Sequence, residues 1–331
     1  MTTAELTGAG QAAPVSRPGT LWRRIRDNRW TYAYLTPFVV LTVVFVIYPI
    51  FASLGYTLYE WNGLGDPTEF IGLKNFADVV ADEFFWSSFQ HAAIYTVVLV
   101  PVQLVLALAL ALVLNNPKLR GSTFYRAIYF LPAITSVAIV GIVLKLMISN
   151  FSEALSEPLV ATGLTDQPLD FLGNPDTVLW VIIGIGIWNT LGYNMVYFLA
   201  GLQTIPKEQY EAAQIDGAGK YAQFRHVTIP GLRSVGLVIL FLAIIGSLQV
   251  FDLVMVMSGG GPYFASEVVN TYIYHQAFGG SIGSGSGAEP NVGYASAASF
   301  FFGIILLLLT LGQMWAIKVM RARRGEKEKS A

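Results

Sequence analysis

The 331-residue chain contains no cysteine. Disulfide scaffolds, thiolate metal sites and cysteine nucleophiles are thereby excluded. Charge is scarce too. Asp, Glu, Lys and Arg make up 12% of residues, against about 25% in soluble domains. The three histidines, His91, His226 and His275, stand too far apart for metal-ligand spacing, so neither a metal nor a cofactor is expected. A phosphate-cradling G-x-x-x-x-G-K-[ST] string is also missing. Its nearest approach, Gly217-Ala-Gly219-Lys220-Tyr221, has Gln214 in place of the first glycine and Tyr221 in place of Ser or Thr. The chain is therefore not expected to hydrolyse ATP, and no catalytic residue is assigned.

What the chain has is apolar length. Hydrophobic residues reach 54% and the mean hydropathy is +0.56. Six runs, 31–55, 92–114, 127–144, 177–203, 234–251 and 294–317, contain no Asp, Glu, Lys or Arg. A bilayer core needs roughly 20 apolar residues as a helix. The third and fifth runs are short, and extend past Lys145 and Asp252 to further apolar residues. The pattern predicts an all-α membrane protein with six transmembrane helices. Pro37, Pro49, Pro101 and Pro132 fall inside runs, which packed membrane helices tolerate. Residues 1–20 read as a disordered, Gly/Pro-rich tail, followed by the basic run Arg23, Arg24, Arg26 and Arg29. The first apolar run is too long for a signal-peptide core and lacks a small-residue cleavage site, so it is read as a retained span.

Basic residues set orientation. With the N-terminus inside, segments 1–30, 115–126, 204–233 and 318–331 hold 18 of the 20 Lys and Arg. The outer loops, 56–91, 149–176 and 258–293, hold 13 of the 21 acids. An N-in, C-in topology follows as the expectation: a cytoplasmic tail over 1–30, a transmembrane domain over 31–320 and a cytoplasmic tail over 321–331. Trp61, Phe70, Phe76, Phe84, Phe85 and Trp86 in the first outer loop fit an interfacial belt or a contact with a soluble partner. The Gly/Ser-rich stretch within 279–291 is low in complexity and is assigned no chemistry.

The inner segment 204–233 is too ordered for a linker. Pro206 opens a helix over 207–215, Asp216-Gly217 turns it, a second short helix runs over about 220–228, and Pro230 opens the next span. Tyr210, Ala212, Ala213, Ile215, Phe224 and Val227 give it apolar surface. That surface suits packing on its own helix ends, burial among lipid headgroups, or docking into a partner's groove.

Glu211-Ala212-Ala213-x-x-Asp216-Gly217-Ala218, with Phe224 and Val227-x-x-Pro230, resembles the EAA loop of ABC importer permeases. Four further strings resemble the carbohydrate branch of that family, the maltose-type and glycerol-phosphate-type permeases: Phe70-Ile-Gly-Leu-Lys-Asn-Phe76, Leu119-Arg-Gly-Ser-Thr-Phe-Tyr-Arg126 with Leu131-Pro132, Ala200-Gly-Leu-Gln-Thr-Ile-Pro206, and Gly259-Gly-Gly-Pro262. The resemblance covers about 30–318. It implies a type I importer permease fold in a bacterial cytoplasmic membrane, with no nucleic-acid partner. It also implies a second homologous permease, two copies of an ABC ATPase subunit and an extracytoplasmic sugar-binding protein. The loop would be the coupling helix: Glu211 contacting the ATPase, Ala212 and Ala213 keeping the helix slim, Gly217 making the turn.

Span four carries Asn189, Thr190, Tyr193, Asn194 and Tyr197 after Trp188. Asn189, Tyr193 and Tyr197 recur every four residues on one face. Such groups suit a sugar, with its apolar C–H patches and hydroxyls. They equally suit hydrogen bonding between helices. In the maltose-type permeases the sugar site lies on this helix and the next. The resemblance carries it here to Asn189, Thr190 and Tyr193, and to Ala243, Gly246, Ser247 and Val250, several of the latter less polar than in the family. Gln249 and Asp252 are expected to face away from Ser247 on a continuous helix, as a gate, a contact with the second permease, or groups reaching water. The leading expectation is an ATP-driven sugar permease working by alternating access. The alternative is a secondary transporter driven by an ion gradient, for which Asp252 is the one carboxylate available within a span.

Overall fold

The computed structural model describes residues 28–116, 118–163, 168–280 and 289–329, with side chains as far as Val319. The tail over 1–20, Arg23, Arg24, Arg26 and most of the Gly/Ser-rich stretch lie outside these residues. Among the described residues six helices are long and apolar enough to cross a membrane.

The first, α1, Arg29–Tyr56, contains a π-helical turn at Val43–Ile47. Its part up to Ser53 is a unit by itself. The helix is apolar all round and has no buried residue over its hydropathic window. A helix apolar on every side calls for an apolar surrounding.

The second unit begins at Leu54. A small hairpin pairs β1, Tyr59–Glu60, with β2, Glu69–Phe70. There follow α2, Lys74–Ala81, and α3, Glu83–Leu114, which opens at Asp82 with the carboxylate accepting from the Phe84 amide (2.9 Å). Then come α4, Ser122–Ile134, α5, Val137–Ala161, and α6, Val178–Gln203. The short α7, Lys207–Ile215, leads to α8, Lys220–Leu248. The chain closes with α9, Asp252–Met257, α10, Val269–Phe278, and α11, Val292–Lys329.

Two of the expected spans are broken. The third run, 127–144, is split between α4 and α5 by Thr135, which is extended, and Ser136, which also leaves the helical conformation. Pro132 cannot donate to the preceding turn, and the helix stops two residues later. The fifth run, 234–251, ends at Leu248; Gln249–Phe251 leave the helix and α9 restarts at Asp252. The expected separate helix over 220–228 is instead the start of α8. A π turn at Phe224–Thr228 joins it to the remainder, so Pro230 sits inside a continuous rod.

In the second unit α3 packs along α6, with α8 against both and α4 against α6. Gly192 permits the α4–α6 approach, since a Cβ there would collide with the backbone of Tyr129 and Phe130. Two apolar clusters result. One gathers Val79, Phe85, Tyr95, Ile182, Met257, Tyr272 and Ala298. The other gathers Ala107, Ala111, Met195, Phe198, Leu202 and Leu232. The aromatics of 56–91 divide accordingly. Phe85 is buried in the first cluster and Phe76 packs on it, while Phe84 stacks on Phe264 at 4.8 Å. Phe85 is thus packed within the chain, while Phe70, Phe84 and Trp86 remain exposed and open to the belt or partner reading.

Candidate functional site

Between the two clusters lies a polar layer. Gln103 of α3 is buried there, and its carbonyl oxygen accepts from the hydroxyl of Thr190 and from the amide of Asn194 (3.3 Å). Beside it opens a cavity of about 200 Å³. Its wall takes Tyr95, Leu99 and Gln103 from α3, and Asn189, Thr190 and Tyr193 from α6. Ala243, Gly246 and Ser247 come from α8, and Gln249, Val250 and Asp252 from the break and the start of α9.

Both helix breaks meet this cavity. Val137, at the start of α5, lines it, and the Asn189 amide donates to the backbone carbonyl of Pro132 (3.1 Å). That carbonyl sits in the last turn of α4, where intrahelical donors run out. Asn189 therefore gives one N–H to the backbone and also lines the cavity. At the second break the expected helical wheel fails. Ser247, Gln249 and Asp252 line one cavity because the helix ends at Leu248 and the chain turns before α9.

Tyr197 is the one expected path residue outside the wall; it is exposed, with its ring 6.1 Å from that of Tyr193. Each step of four residues rotates a side chain by about 40°, so Tyr197 stands about 80° round from Asn189. Tyr95, Leu99 and Gln103 had been missed. Their signal was present: three residues at spacing four on a run that was read only for its hydropathy.

The segment 204–233 forms a compact helical turn. The Ala218 amide donates to Ala213 (2.8 Å) and the Gly217 amide to Gln214 (3.0 Å), with Gly217 at φ +80°. This pair of bonds closes the C-terminus of α7 and needs a left-handed residue at Gly217. The Tyr210 hydroxyl meets that of Thr228 (3.0 Å), and Tyr210 and Val227 pack on the second apolar cluster. Glu211, Ala212, Asp216, Gly217 and Pro230 are exposed, with Ala213, Ala218 and Phe224 half-buried. Ile215 is 87% exposed and Tyr221 74% exposed. The segment thus has one face seated on its own helix ends and another, holding Glu211, Ile215 and Tyr221, free.

At the opposite end a second set of polar contacts fastens the loops. Asp82 accepts from the hydroxyls of Tyr272 and Tyr294, and Gln276 donates to Tyr272 (2.8 Å). Burial, and next the bond to Asp82, push the Tyr272 hydroxyl above its usual pKa. The fully buried Glu267 accepts from Nδ1 of His275 (3.2 Å), and its backbone carbonyl accepts from His91 (3.0 Å). Ser266 bonds Ser258 (2.7 Å) across the Gly259-Gly-Gly-Pro262 turn. Among the described residues no group of three His, Cys, Asp or Glu could hold a metal.

Residues 103–325 match the family described as binding-protein-dependent transport system inner membrane component. The chain belongs to this family. The permease is 34% identical over 293 residues to the lactose transport system permease protein LacF of Rhizobium radiobacter, covering 88% of this chain and 94% of that one. Two solved structures share its fold at a TM-score of 0.72 and 22% identity. One is a bacterial ABC transporter involved in import of the acidic polysaccharide alginate, covering 89% of this chain and 97% of that chain. The other is a bacterial alginate ABC transporter in complex with an alginate pentasaccharide-bound periplasmic protein, covering 88% and 95%. The motif resemblance to carbohydrate importer permeases holds, and with it the six-helix permease fold. The chain is a multi-pass transport permease, not an enzyme.

Proposed function

We propose that this permease moves a sugar or oligosaccharide across a bacterial cytoplasmic membrane by alternating access, with a separate ATPase as its motor. The observation that carries this reading is continuity. The free face of the 204–233 turn and the polar cavity sit at the two ends of one helical rod, α8. Glu211, with Ile215 and Tyr221, offers the ATPase a mixed charged and apolar contact. The hydroxyl and amide groups of Thr190, Tyr193, Ser247 and Gln249 offer hydrogen-bond partners to a sugar. A second homologous permease completes the path and two ATPase copies sit beneath. A sugar-binding protein delivers cargo at the end holding Asp82 and Glu267; the periplasmic protein bound to one structural relative supports that partner. The distribution of basic residues supports cytoplasmic tails over 1–30 and 321–331 flanking a transmembrane domain over 31–320, with 204–233 a cytoplasmic loop of that domain.

The test uses the assembled importer. Glu211→Lys and Gly217→Pro are expected to leave membrane insertion intact yet uncouple ATP hydrolysis from uptake. Normal coupling in both variants rejects the docking role. Uptake that stops when the proton gradient is collapsed at constant ATP favours the ion-driven alternative.

A further inference from the structure

The helix break at Gln249–Phe251 places a carboxylate where the proposed cargo would pass. Asp252 opens α9, is exposed, and lines the cavity beside Ser247 and Gln249. The other polar groups of the wall are amides and hydroxyls, those of Gln103, Asn189, Thr190 and Tyr193 among them. All residues of the wall are described, and Asp252 is the only one with a formal charge. Among the described residues the ion pair found is His275–Glu267, away from this wall, and it does not involve Asp252.

From this arrangement we propose that the cavity selects saccharides without negative charge and that Asp252 turns back uronate- or phosphate-bearing ones. The proposal rests on the sugar-permease reading and adds the charge class of the cargo. An ionised carboxylate accepts charge-assisted hydrogen bonds, and adjacent sugar hydroxyls can supply two at once. A sugar carboxylate at the same place brings two like charges within a few ångströms, a repulsion that a neutral sugar does not meet. A transporter of an acidic polysaccharide shares the fold, at an identity that transfers no cargo.

Saturation-transfer NMR on the purified importer, without any binding protein, reads the permease's own preference. The probes are a panel of neutral disaccharides that includes lactose, and lactobionate, which is lactose with its reducing end oxidised to a carboxylate. The expected result is binding of at least one neutral disaccharide, with lactobionate at least ~10-fold weaker than lactose or than the best binder. Asp252→Asn, which keeps the side chain's shape, is expected to remove most of that difference; Asp252→Ser serves as a second variant if the first fails to assemble. Equal binding of neutral and anionic probes by the wild type, or a ratio unmoved in the variant, overturns the charge filter and leaves the sugar reading intact. No binding of any neutral disaccharide by wild type or variant counts against the sugar site itself.

Discussion

The two ends of the helical bundle in the second unit are closed by opposite means. At the α7 end the ties are local: Ala218 to Ala213, Gly217 to Gln214, Gln223 to Ala218, and Tyr210 to Thr228, 18 residues apart. At the other end the ties run between distant parts of the chain. Asp82 reaches Tyr272 and Tyr294, 190 and 212 residues away, and His91 reaches Glu267 across 176. A local closure forms early and keeps its shape when the surroundings move. A closure made of distant partners forms only when the helices are already packed, and it holds them so. One end is built to shift as a piece, the other to fix helix positions.

The largest break in this comparison is expected from Asp82→Ala. It strips the shared acceptor from two tyrosine hydroxyls and removes the cap of α3, a loss of about 3 kcal/mol. Thermal unfolding in detergent should show Tm lower by several degrees. Tyr272→Phe leaves Asp82 its bond from Tyr294 and should cost about 1 kcal/mol. It also carries a pH signature. Because the folded state raises the Tyr272 pKa above its ordinary 10.0, its contribution is complete below that pH and is lost as pH rises beyond it. The wild type should therefore lose stability above pH 10.0, and Tyr272→Phe less steeply; parallel alkaline melts check this. Gly217→Ala should be smallest on this scale. Alanine at φ +80° costs about 1 kcal/mol in the exposed turn alone. Global Tm should hardly change, while amide exchange over 207–219 speeds up.

The same contrast explains what was legible beforehand. The α7 end could be read because helix former, turn residue and proline follow one another within a few positions, and Pro206, Asp216 and Gly217 each act on their neighbours. The spans could be read because apolar length is a property of contiguous residues. The breaks could not. Ile134 and Val137, or Val250 and Phe251, keep hydropathy high while the backbone leaves the helix. Pro132 marked the first break two residues early, and the second contains neither proline nor glycine. The wall of the cavity was found on α6, where the residues are visibly polar, and on α8 through the resemblance to the maltose-type permeases. It was missed on α3, where Tyr95 and Gln103 are scattered among valines and leucines. The far-end fastenings of Asp82, Tyr272 and Glu267 had no signal within reach of a local reading.

The continuous helix α8 has a mechanical meaning. Its 29 residues span about 43 Å from Lys220 to Leu248. Moved as one body, a tilt of about 10° about its Lys220 end sweeps the Leu248 end through about 7 Å, more than a full helical turn of 5.4 Å. The break at Gln249–Phe251 is where that sweep can be taken up without dragging α9 off its seat on α5. Under the alternating-access proposal α8 would act as a lever with its hinge at the tip, and that hinge is also a wall of the cavity.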